Sequence, residues 1–181
     1  MDKLSCILEA VLLAANQPLS IERMRSLFSE LERPSEYEVT QALSRIMEHY
    51  QDRGIELKAV ASGFRFQVRT SYSQWVQRLW EEKPAKYSRT LLETLALIAY
   101  RQPITRGEIE AIRGVAVNTA VIKTLQEREW IKVVGHKDVP GRPGLYATTK
   151  QFLDYFNLSS IEELPSLITL QQLDESSVNT M

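Results

Sequence analysis

The chain has 181 residues, of which 44% are apolar and 25% charged. These proportions are typical of a globular protein and exclude a collagen-like or wholly disordered chain. Lysine and arginine number 22, against 23 aspartates and glutamates, so the overall balance does not indicate a strongly basic nucleic-acid binder. The single cysteine cannot form an internal disulfide. No apolar run is long enough for a membrane span and no signal peptide is recognisable, so we predict a cytoplasmic protein.

Charge and an internal repeat divide the chain into two similar units and a tail. The net charge is −1 over residues 1–85, +4 over residues 86–157 and −4 over residues 158–181. The segment LEAVLLAANQPLS, which starts at Leu8, is echoed by LETLALIAYRQPIT from Leu92. One repeat at this distance indicates a duplicated small domain rather than a solenoid. The predicted units are two domains at residues 1–85 and 86–160 and an acidic, partly disordered tail at residues 161–181.

In the N-terminal unit, the pattern predicts three helices and then a β-hairpin. The first helix has an apolar stripe at Leu4, Ile7, Leu8, Val11 and Ala15. Ser20 can cap a second helix, and the capping box Ser35-x-x-Glu38 opens a third helix that ends at Gly54. The segments IELKAV and FRFQVR then form two strands joined at Ser62-Gly63.

The C-terminal unit repeats this order of elements. Its first helix has an apolar stripe at Leu91, Leu92, Leu95, Ile98 and Ala99. The capping box Thr105-x-x-Glu108 opens a second helix that ends near Gly114, and Asn118 caps the third. The third helix has its buried face at Val121, Thr124 and Leu125. The strands WIKVVG and LYATT flank the wing-like loop GHKDVPGRPG, and a short helix follows over Lys150–Phe156.

Three helices followed by a β-hairpin form the winged-helix arrangement, a variant of the helix-turn-helix. The predicted fold class is therefore mainly α with small β-hairpins (α+β), arranged as two tandem winged-helix domains. A single mixed α+β domain is the alternative, and the internal repeat favours the tandem arrangement.

Two long segments carry a family resemblance: LLETLALIAYRQPITRGEIEAIRGV and VIKTLQEREWIKVVGHKDVPGRPGLYATTKQFLDYF. With these blocks the sequence resembles the segregation and condensation protein B family. The resemblance extends over about residues 4–167, is densest over residues 91–157, and includes the unusual combinations AIRGV and GRPGLYATT. One departure is Asn157, which stands between Phe156 and Leu158 where the family usually has glycine.

The resemblance implies a tandem winged-helix homodimer without cofactor or enzymatic activity. Such proteins bind the central region of a kleisin of the segregation and condensation protein A type. The kleisin bridges the heads of a structural-maintenance-of-chromosomes ATPase, in a complex that organises and separates replicated DNA. The resemblance also implies that the protein associates with the nucleoid through the complex and contacts no membrane. We predict that dimerisation occurs through the N-terminal domain and kleisin binding through the C-terminal domain.

The residues themselves provide no catalytic constellation. Neither His49 nor His136 has a nucleophile at a recognised motif spacing. The chain contains neither a phosphate-binding loop nor a dinucleotide-binding fingerprint. One cysteine and two distant histidines cannot form a usual zinc site. We therefore predict no enzyme activity, no cofactor and no metal; a small hydrolase would need a nucleophile and base that are missing.

The chief rival function is a winged-helix DNA-binding transcriptional regulator, whose third helix enters the major groove. In the N-terminal unit, that helix exposes Glu38, Gln41, Arg45 and Glu48. In the C-terminal unit, Ile122 and Lys123 are on the predicted exposed face, and the wing carries Lys137 and Arg142 beside Asp138. A specific site needs several basic phosphate contacts. We expect weak, non-specific DNA contact at most, through Lys123, Lys137 and Arg142, and a merely solvated loop explains the wing equally well.

The first helix of the N-terminal unit is more apolar than one small core requires. Besides its core stripe, the helix has a second stripe at Cys6, Ala10 and Leu13. A helix that is apolar nearly all round is buried on more than one side. We predict that this second stripe forms a homodimer interface; coverage by the hairpin or by the second domain is the alternative.

Aromatic and basic residues cluster in the C-terminal unit, and we predict that they contact the kleisin. The candidates are Tyr100, Arg101, Arg106 and Arg113. Tyrosine and arginine are common anchors at protein interfaces. The alternative is a core tyrosine and solvated arginines.

In the tail, a capping box at Ser160-x-x-Glu163 precedes an apolar strip that either packs back on the C-terminal domain or docks on a partner.

Overall fold

The computed structural model describes residues 2–79 and 87–165. Its N-terminal half follows the predicted order of helices and hairpin. The elements are α1 (Lys3–Ala14), α2 (Ile21–Arg25), α3 (Glu36–His49), β1 (Ile55–Val60), β2 (Gly63–Val68), a 3-10 turn (Thr70–Tyr72), α4 (Ser73–Val76) and a second 3-10 turn (Gln77–Leu79). The predicted domain boundary at residue 85 falls outside the described residues.

The C-terminal half repeats the order and adds one short strand. Its elements are α5 (Arg89–Arg101), β3 (Ile104–Thr105), α6 (Arg106–Arg113), α7 (Thr119–Glu127), β4 (Ile131–His136), β5 (Gly144–Thr148), α8 (Lys150–Tyr155) and a 3-10 turn (Ile161–Glu163). Three helices followed by a hairpin in each half confirm the predicted fold class. Within the described residues, every helix is too short or too polar to cross a bilayer.

Reciprocal caps fix the start of α3 and of α6. Ser35 caps α3 and Thr105 caps α6, and in each case the cap hydroxyl accepts a hydrogen bond from the backbone amide of the glutamate three residues later. That glutamate, Glu38 or Glu108, accepts a hydrogen bond in return from the backbone amide of the cap residue. Both capping boxes were predicted from the sequence. Gly114 ends α6 in the left-handed conformation, with φ +69°. The predicted box at Ser160 is wrong: its side chain caps nothing, and Glu163 instead accepts from the Ser159 amide at 3.0 Å.

Helix α3 ends at His49 rather than at the predicted Gly54. The guanidinium of Arg69, at the end of β2, donates to the backbone carbonyls of Tyr50 and Gln51 at 3.0 and 2.8 Å, and to that of Arg53 at 2.9 Å. These contacts satisfy carbonyls that a continuing helix would bond internally. The stop is therefore set by a tertiary contact that the local sequence does not reveal.

The same extra pairing occurs next to both hairpins, which supports the internal repeat. In the C-terminal half, β3 pairs antiparallel with β5, giving a three-stranded sheet in the order β3-β5-β4. In the N-terminal half, Leu19 makes a single antiparallel bridge to Phe64 of β2. This bridge requires Gly63, which has φ +135°, because a Cβ there would lie 2.2 Å from the Leu19 carbonyl oxygen. Leu19 and Ile104 occupy matching positions in the sequence repeat.

Each half has its own hydrophobic core. In the N-terminal half the buried residues are Leu8, Leu12, Met24, Val39, Ala42, Leu43, Ile46 and Leu57. In the C-terminal half they are Leu91, Leu95, Ile98, Ala99, Ile104, Ile109, Val117, Ile122, Leu125, Trp130, Ile131 and Phe152. Ile161 and Leu164 pack against the second core, so the start of the tail folds back on the C-terminal half.

Two predicted helix faces differ from the structure. In α1 the buried line is Ser5, Leu8 and Leu12, while Ile7 and Val11 are half-buried beside it; α1 is rotated because it packs on α3 and β2 together. In α7, Ile122 is buried rather than exposed. The periodicity of a sequence shows which residues share an apolar stripe. The elements that pack against the helix decide which residues of that stripe are fully buried.

The hairpin of the N-terminal half contacts the end of α8 in the C-terminal half. The carboxylate of Asp154, buried at 6% exposure, accepts from the Ser62 amide at 2.9 Å, and the Ala61 amide donates to the Leu158 carbonyl at 3.0 Å. Arg65 donates to the Asp154 carbonyl at 2.8 Å and to Oδ1 of Asn157 at 2.6 Å. We call this set of contacts the hairpin–α8 clamp.

Asn157, where the family usually has glycine, has φ +58°. Glycine and asparagine are the residues that best tolerate this left-handed conformation. Asparagine also supplies the side-chain oxygen that Arg65 reaches, which glycine lacks. The departure from the family pattern therefore preserves the turn after α8 and adds one contact between the two halves.

We predict that Arg65→Ala loosens the hairpin–α8 clamp without unfolding either core. Hydrogen bonds from a charged donor contribute about 1.5–3 kcal/mol each, less when partly exposed. Amide hydrogen exchange at Ala61 and Ser62 should therefore accelerate roughly tenfold or more. Lys58→Ala, on the strand position opposite Arg65, is the control. Unchanged exchange at both amides in Arg65→Ala would show that the clamp does not hold the hairpin.

Candidate partner-binding site

An open groove lies between α5 and α6 in the C-terminal half. It has a volume of about 570 Å³. The lining residues are Glu93, Ala96, Leu97, Tyr100, Arg101, Ile112, Arg113 and Val115. Helix α5 buries Leu91, Leu95 and Ile98 in the core, so the residues at the other helical positions form the groove wall. We call this feature the α5–α6 groove.

The groove is apolar although it faces solvent. Ile112 is 55% exposed and Val115 is 56% exposed, while Ile109 on the inner side of α6 is completely buried. Helix α6 is therefore apolar on two sides, of which the described residues cover only one. Exposed apolar surface in a concave site is typical of a protein or ligand contact.

Arg113 gives the groove an unsatisfied donor. Its side chain is 10% exposed, and one terminal nitrogen donates to Oε2 of Glu93 at 3.1 Å. The other terminal nitrogen is buried and has no hydrogen-bond partner among the described residues. A buried unpaired donor is costly, so a movement of the Arg113 side chain that brought this nitrogen to an incoming carbonyl or carboxylate oxygen would be favourable. Contacts from Arg89 and then from Arg113 lower the pKa of Glu93 below its ordinary value, so Glu93 stays ionised and holds Arg113 in place.

Tyr100 stands at the boundary between the α5–α6 groove and a second cavity of about 320 Å³. Its hydroxyl donates to the carbonyl of Pro165 at 2.7 Å, and Leu164 and Pro165 line the second cavity. Arg101 is exposed, and within the described part of the chain it forms no ion pair with an acidic side chain. Tyr100, Arg101 and Arg113 are thus brought together around one groove.

Arg106 does not line this groove. Its guanidinium donates to Glu110 at 3.0 Å, to the Thr119 hydroxyl at 3.0 Å and to the Val117 carbonyl at 2.7 Å. Glu110 in turn accepts from the Val117 amide at 2.9 Å, and this bond is the main reason that the pKa of Glu110 is lowered. Arg106 therefore fixes the connection between α6 and α7.

The outer face of α1 is exposed and carries no charge between Cys6 and Leu13. Cys6 and Ala10 are exposed, and Leu13 is 67% exposed. Glu9, the single charged residue in that stretch, accepts a hydrogen bond from the Tyr50 hydroxyl and lies toward the body of the domain. Among residues 2–79 and 87–165, neither the hairpin nor the C-terminal half covers Leu13.

Two of the three candidate DNA contacts are engaged by acidic residues of the same chain. Lys123 lies 3.6 Å from Glu127, and Lys137 lies 2.6 Å from Glu108. The bond from Lys137 is the main reason that the pKa of Glu108 falls to about 2. Arg142 is exposed in the β4–β5 loop.

Within residues 2–79 and 87–165, no cluster of three or more histidine, cysteine, aspartate or glutamate side chains could hold a metal.

The sequence model of the family described as "Segregation and condensation complex subunit ScpB" matches residues 6–167. That span includes both winged-helix halves, the α5–α6 groove and the hairpin–α8 clamp. The chain belongs to this family. It is therefore a member of a group of segregation and condensation complex subunits, as the sequence resemblance predicted.

Two relatives by sequence agree with this assignment. A segregation and condensation protein B homolog of Coxiella burnetii is 57% identical over 93% of this chain and 81% of its own length. Segregation and condensation protein B of Syntrophotalea carbinolica is 38% identical over 97% of this chain and 87% of its own length. A crystal structure of ScpB from Mycobacterium tuberculosis aligns with a TM-score of 0.40 and 34% identity, over 87% of this chain and 98% of that one.

Sequence reasoning found the charged rim of the groove and missed its apolar walls. Ala96 and Leu97 belong to the predicted first helix of the C-terminal half, and Ile112 to the second, but none was singled out. The available signal was that α5 carries apolar residues on both sides, the same feature that drew attention to α1. Val115 follows the helix-ending Gly114, and no periodic pattern predicts its position.

Proposed function

We propose that this chain is a non-enzymatic adaptor of a chromosome segregation and condensation complex. It forms a homodimer and binds the central region of a kleisin, which bridges the heads of the structural-maintenance-of-chromosomes ATPase. Membership of the family supports the assignment to this complex. The α5–α6 groove is the observation that supports binding of a kleisin. The adaptor acts in the cytoplasm at the nucleoid, and its effect is geometric: it orders the middle of the kleisin, while the ATPase supplies the energy.

The groove fits an amphipathic kleisin segment. Apolar side chains of the segment would cover Ile112 and Val115, whose burial would stabilise the complex by about 25 cal/mol per Å² of apolar area before binding costs are subtracted. A carbonyl or carboxylate oxygen would satisfy the free nitrogen of Arg113, and an acidic side chain would pair with Arg101. Tyr100 contributes a rigid aromatic wall. Arg106 positions α6 and α7, and direct contact from Arg106 to the kleisin stays a prediction.

We predict that Ile112→Asp weakens binding of the kleisin's central segment at least tenfold. The aspartate replaces apolar contact area with a charge that must be desolvated on binding. Isothermal titration calorimetry with the kleisin segment from the same genome measures the affinity. Val134→Asp, which places the same charge on a half-exposed residue of β4, is the matched control. Equal affinities for both variants and the wild type would reject the α5–α6 groove as the kleisin site.

The outer face of α1 fits a symmetric contact with a second copy. An N-terminal half of about 80 residues has one small core and cannot cover both sides of α1. Cys6, Ala10 and Leu13 lie at i, i+4 and i+7, so they form one stripe along the helix. Two such stripes would cover each other in a twofold dimer.

We predict that Leu13→Asp converts the dimer into a monomer, because two carboxylates would face each other across the twofold axis. Sedimentation velocity at micromolar concentration measures the mass, which is 20.8 kDa for one chain. Circular dichroism should be unchanged, since Leu13 is exposed in the single chain. Val134→Asp should remain dimeric. A Leu13→Asp protein that sediments with the mass of the wild-type dimer would place the interface elsewhere.

Direct DNA contact is at most weak and non-specific in this proposal. Lys123 and Lys137 are engaged by glutamates, which leaves Arg142 as the most available of the three candidates. We predict that Arg142→Ala lowers the low-salt affinity for duplex DNA in fluorescence anisotropy more than Lys137→Ala does. Binding should weaken as the salt concentration rises, with a shallow dependence, because few phosphates are contacted. Tight, sequence-selective binding would favour the transcriptional regulator instead.

A further inference from the structure

We propose that the C-terminal segment of this same chain, residues 166–181, occupies the α5–α6 groove in the free protein and competes with the kleisin for it. The occupant is a piece of the chain that lies outside the described residues. The competition rests on the proposed function of the groove, whereas the docking of the segment does not.

The first argument is where the described chain ends. Pro165 is held by the Tyr100 hydroxyl through a 2.7 Å hydrogen bond to its carbonyl. Tyr100 also lines the α5–α6 groove, so the segment starts at the groove's edge. An extended chain advances about 3.3 Å per residue. Leu167 and Leu170 are two and five residues beyond Pro165, and both are therefore within reach of the groove.

The second argument is chemical complementarity. The segment reads SLITLQQLDESSVNTM, with apolar residues at its start, two acidic residues after them and no basic residue. The groove offers apolar walls at Ile112 and Val115, an exposed Arg101 and the unpartnered nitrogen of Arg113. Leu167, Ile168 and Leu170 match the walls, and Asp174 and Glu175 match the arginines. The short tether gives the segment an effective concentration of the order of millimolar, so even weak contacts suffice for substantial occupancy.

The test uses the full-length protein with labelled isoleucine, leucine and valine methyl groups. Leu167→Ser with Leu170→Ser removes the apolar anchors, and Gln171→Ser with Gln172→Ser is the matched control in the same segment. We expect the first pair to shift the NMR resonances of Ile112 and Val115 and the control pair to leave them in place. Kleisin affinity should rise roughly threefold to tenfold in the first pair, which corresponds to a groove that is open between a third and a tenth of the time.

The outcomes separate the two claims. Unchanged Ile112 and Val115 resonances in Leu167→Ser/Leu170→Ser would overturn the docking of the segment. Shifts that depend on protein concentration would assign the groove to the tail of a second copy and overturn the intramolecular contact. Shifted resonances without any change in kleisin affinity would support docking and count against the groove as the kleisin site. Ile112→Asp should abolish the response to the tail substitutions, and a persisting response would overturn the assignment of the groove.

Discussion

The first helix of each half is apolar on two sides, and a half of about 80 residues can bury only one of them. This constraint links the surfaces described above. In α1 the inner line of Leu8 and Leu12 packs in the core, which leaves Leu13 in solvent. In α5 the inner line of Leu91 and Leu95 packs in the core of the C-terminal half. The outer side of α5 forms a wall of the α5–α6 groove. Among the described residues, the duplicated fold thus leaves two apolar faces uncovered, one in each half.

Charge separates the roles of these two faces. The outer face of α1 carries no charge between Cys6 and Leu13, because Glu9 lies toward the body of the domain and is engaged by Tyr50. A neutral self-complementary stripe suits contact with a second copy. The α5–α6 groove instead combines apolar walls with Arg101 and Arg113, so it favours an occupant that carries both apolar and acidic groups. The chain's own C-terminal segment also carries apolar and acidic groups, so in our proposals the kleisin and this segment compete for one groove.

Polar contacts between residues distant in sequence join the two halves. The hairpin–α8 clamp joins residues about 90 positions apart, and the buried carboxylate of Asp154 accepts from the Ser62 amide. An adaptor that only positions other proteins gains from such a contact, since rigidity between its binding surfaces transmits geometry from one partner to the other. Arg65 and Asn157 hold the hairpin against the end of α8.

The sequence by itself determined the order of helices and strands, the duplication, both internal capping boxes and the family, because each depends on residues close together along the chain or on long matching blocks. It also pointed to Cys6, Ala10 and Leu13 as a surplus apolar stripe. Only the tertiary structure showed that one terminal nitrogen of Arg113 has no hydrogen-bond partner among the described residues. It also showed that Arg106 bonds the connection between α6 and α7, and that Arg69 bonds the carbonyls at the end of α3. A guanidinium reaches several ångströms from its backbone, so its partners depend on how distant segments pack rather than on its neighbours in sequence.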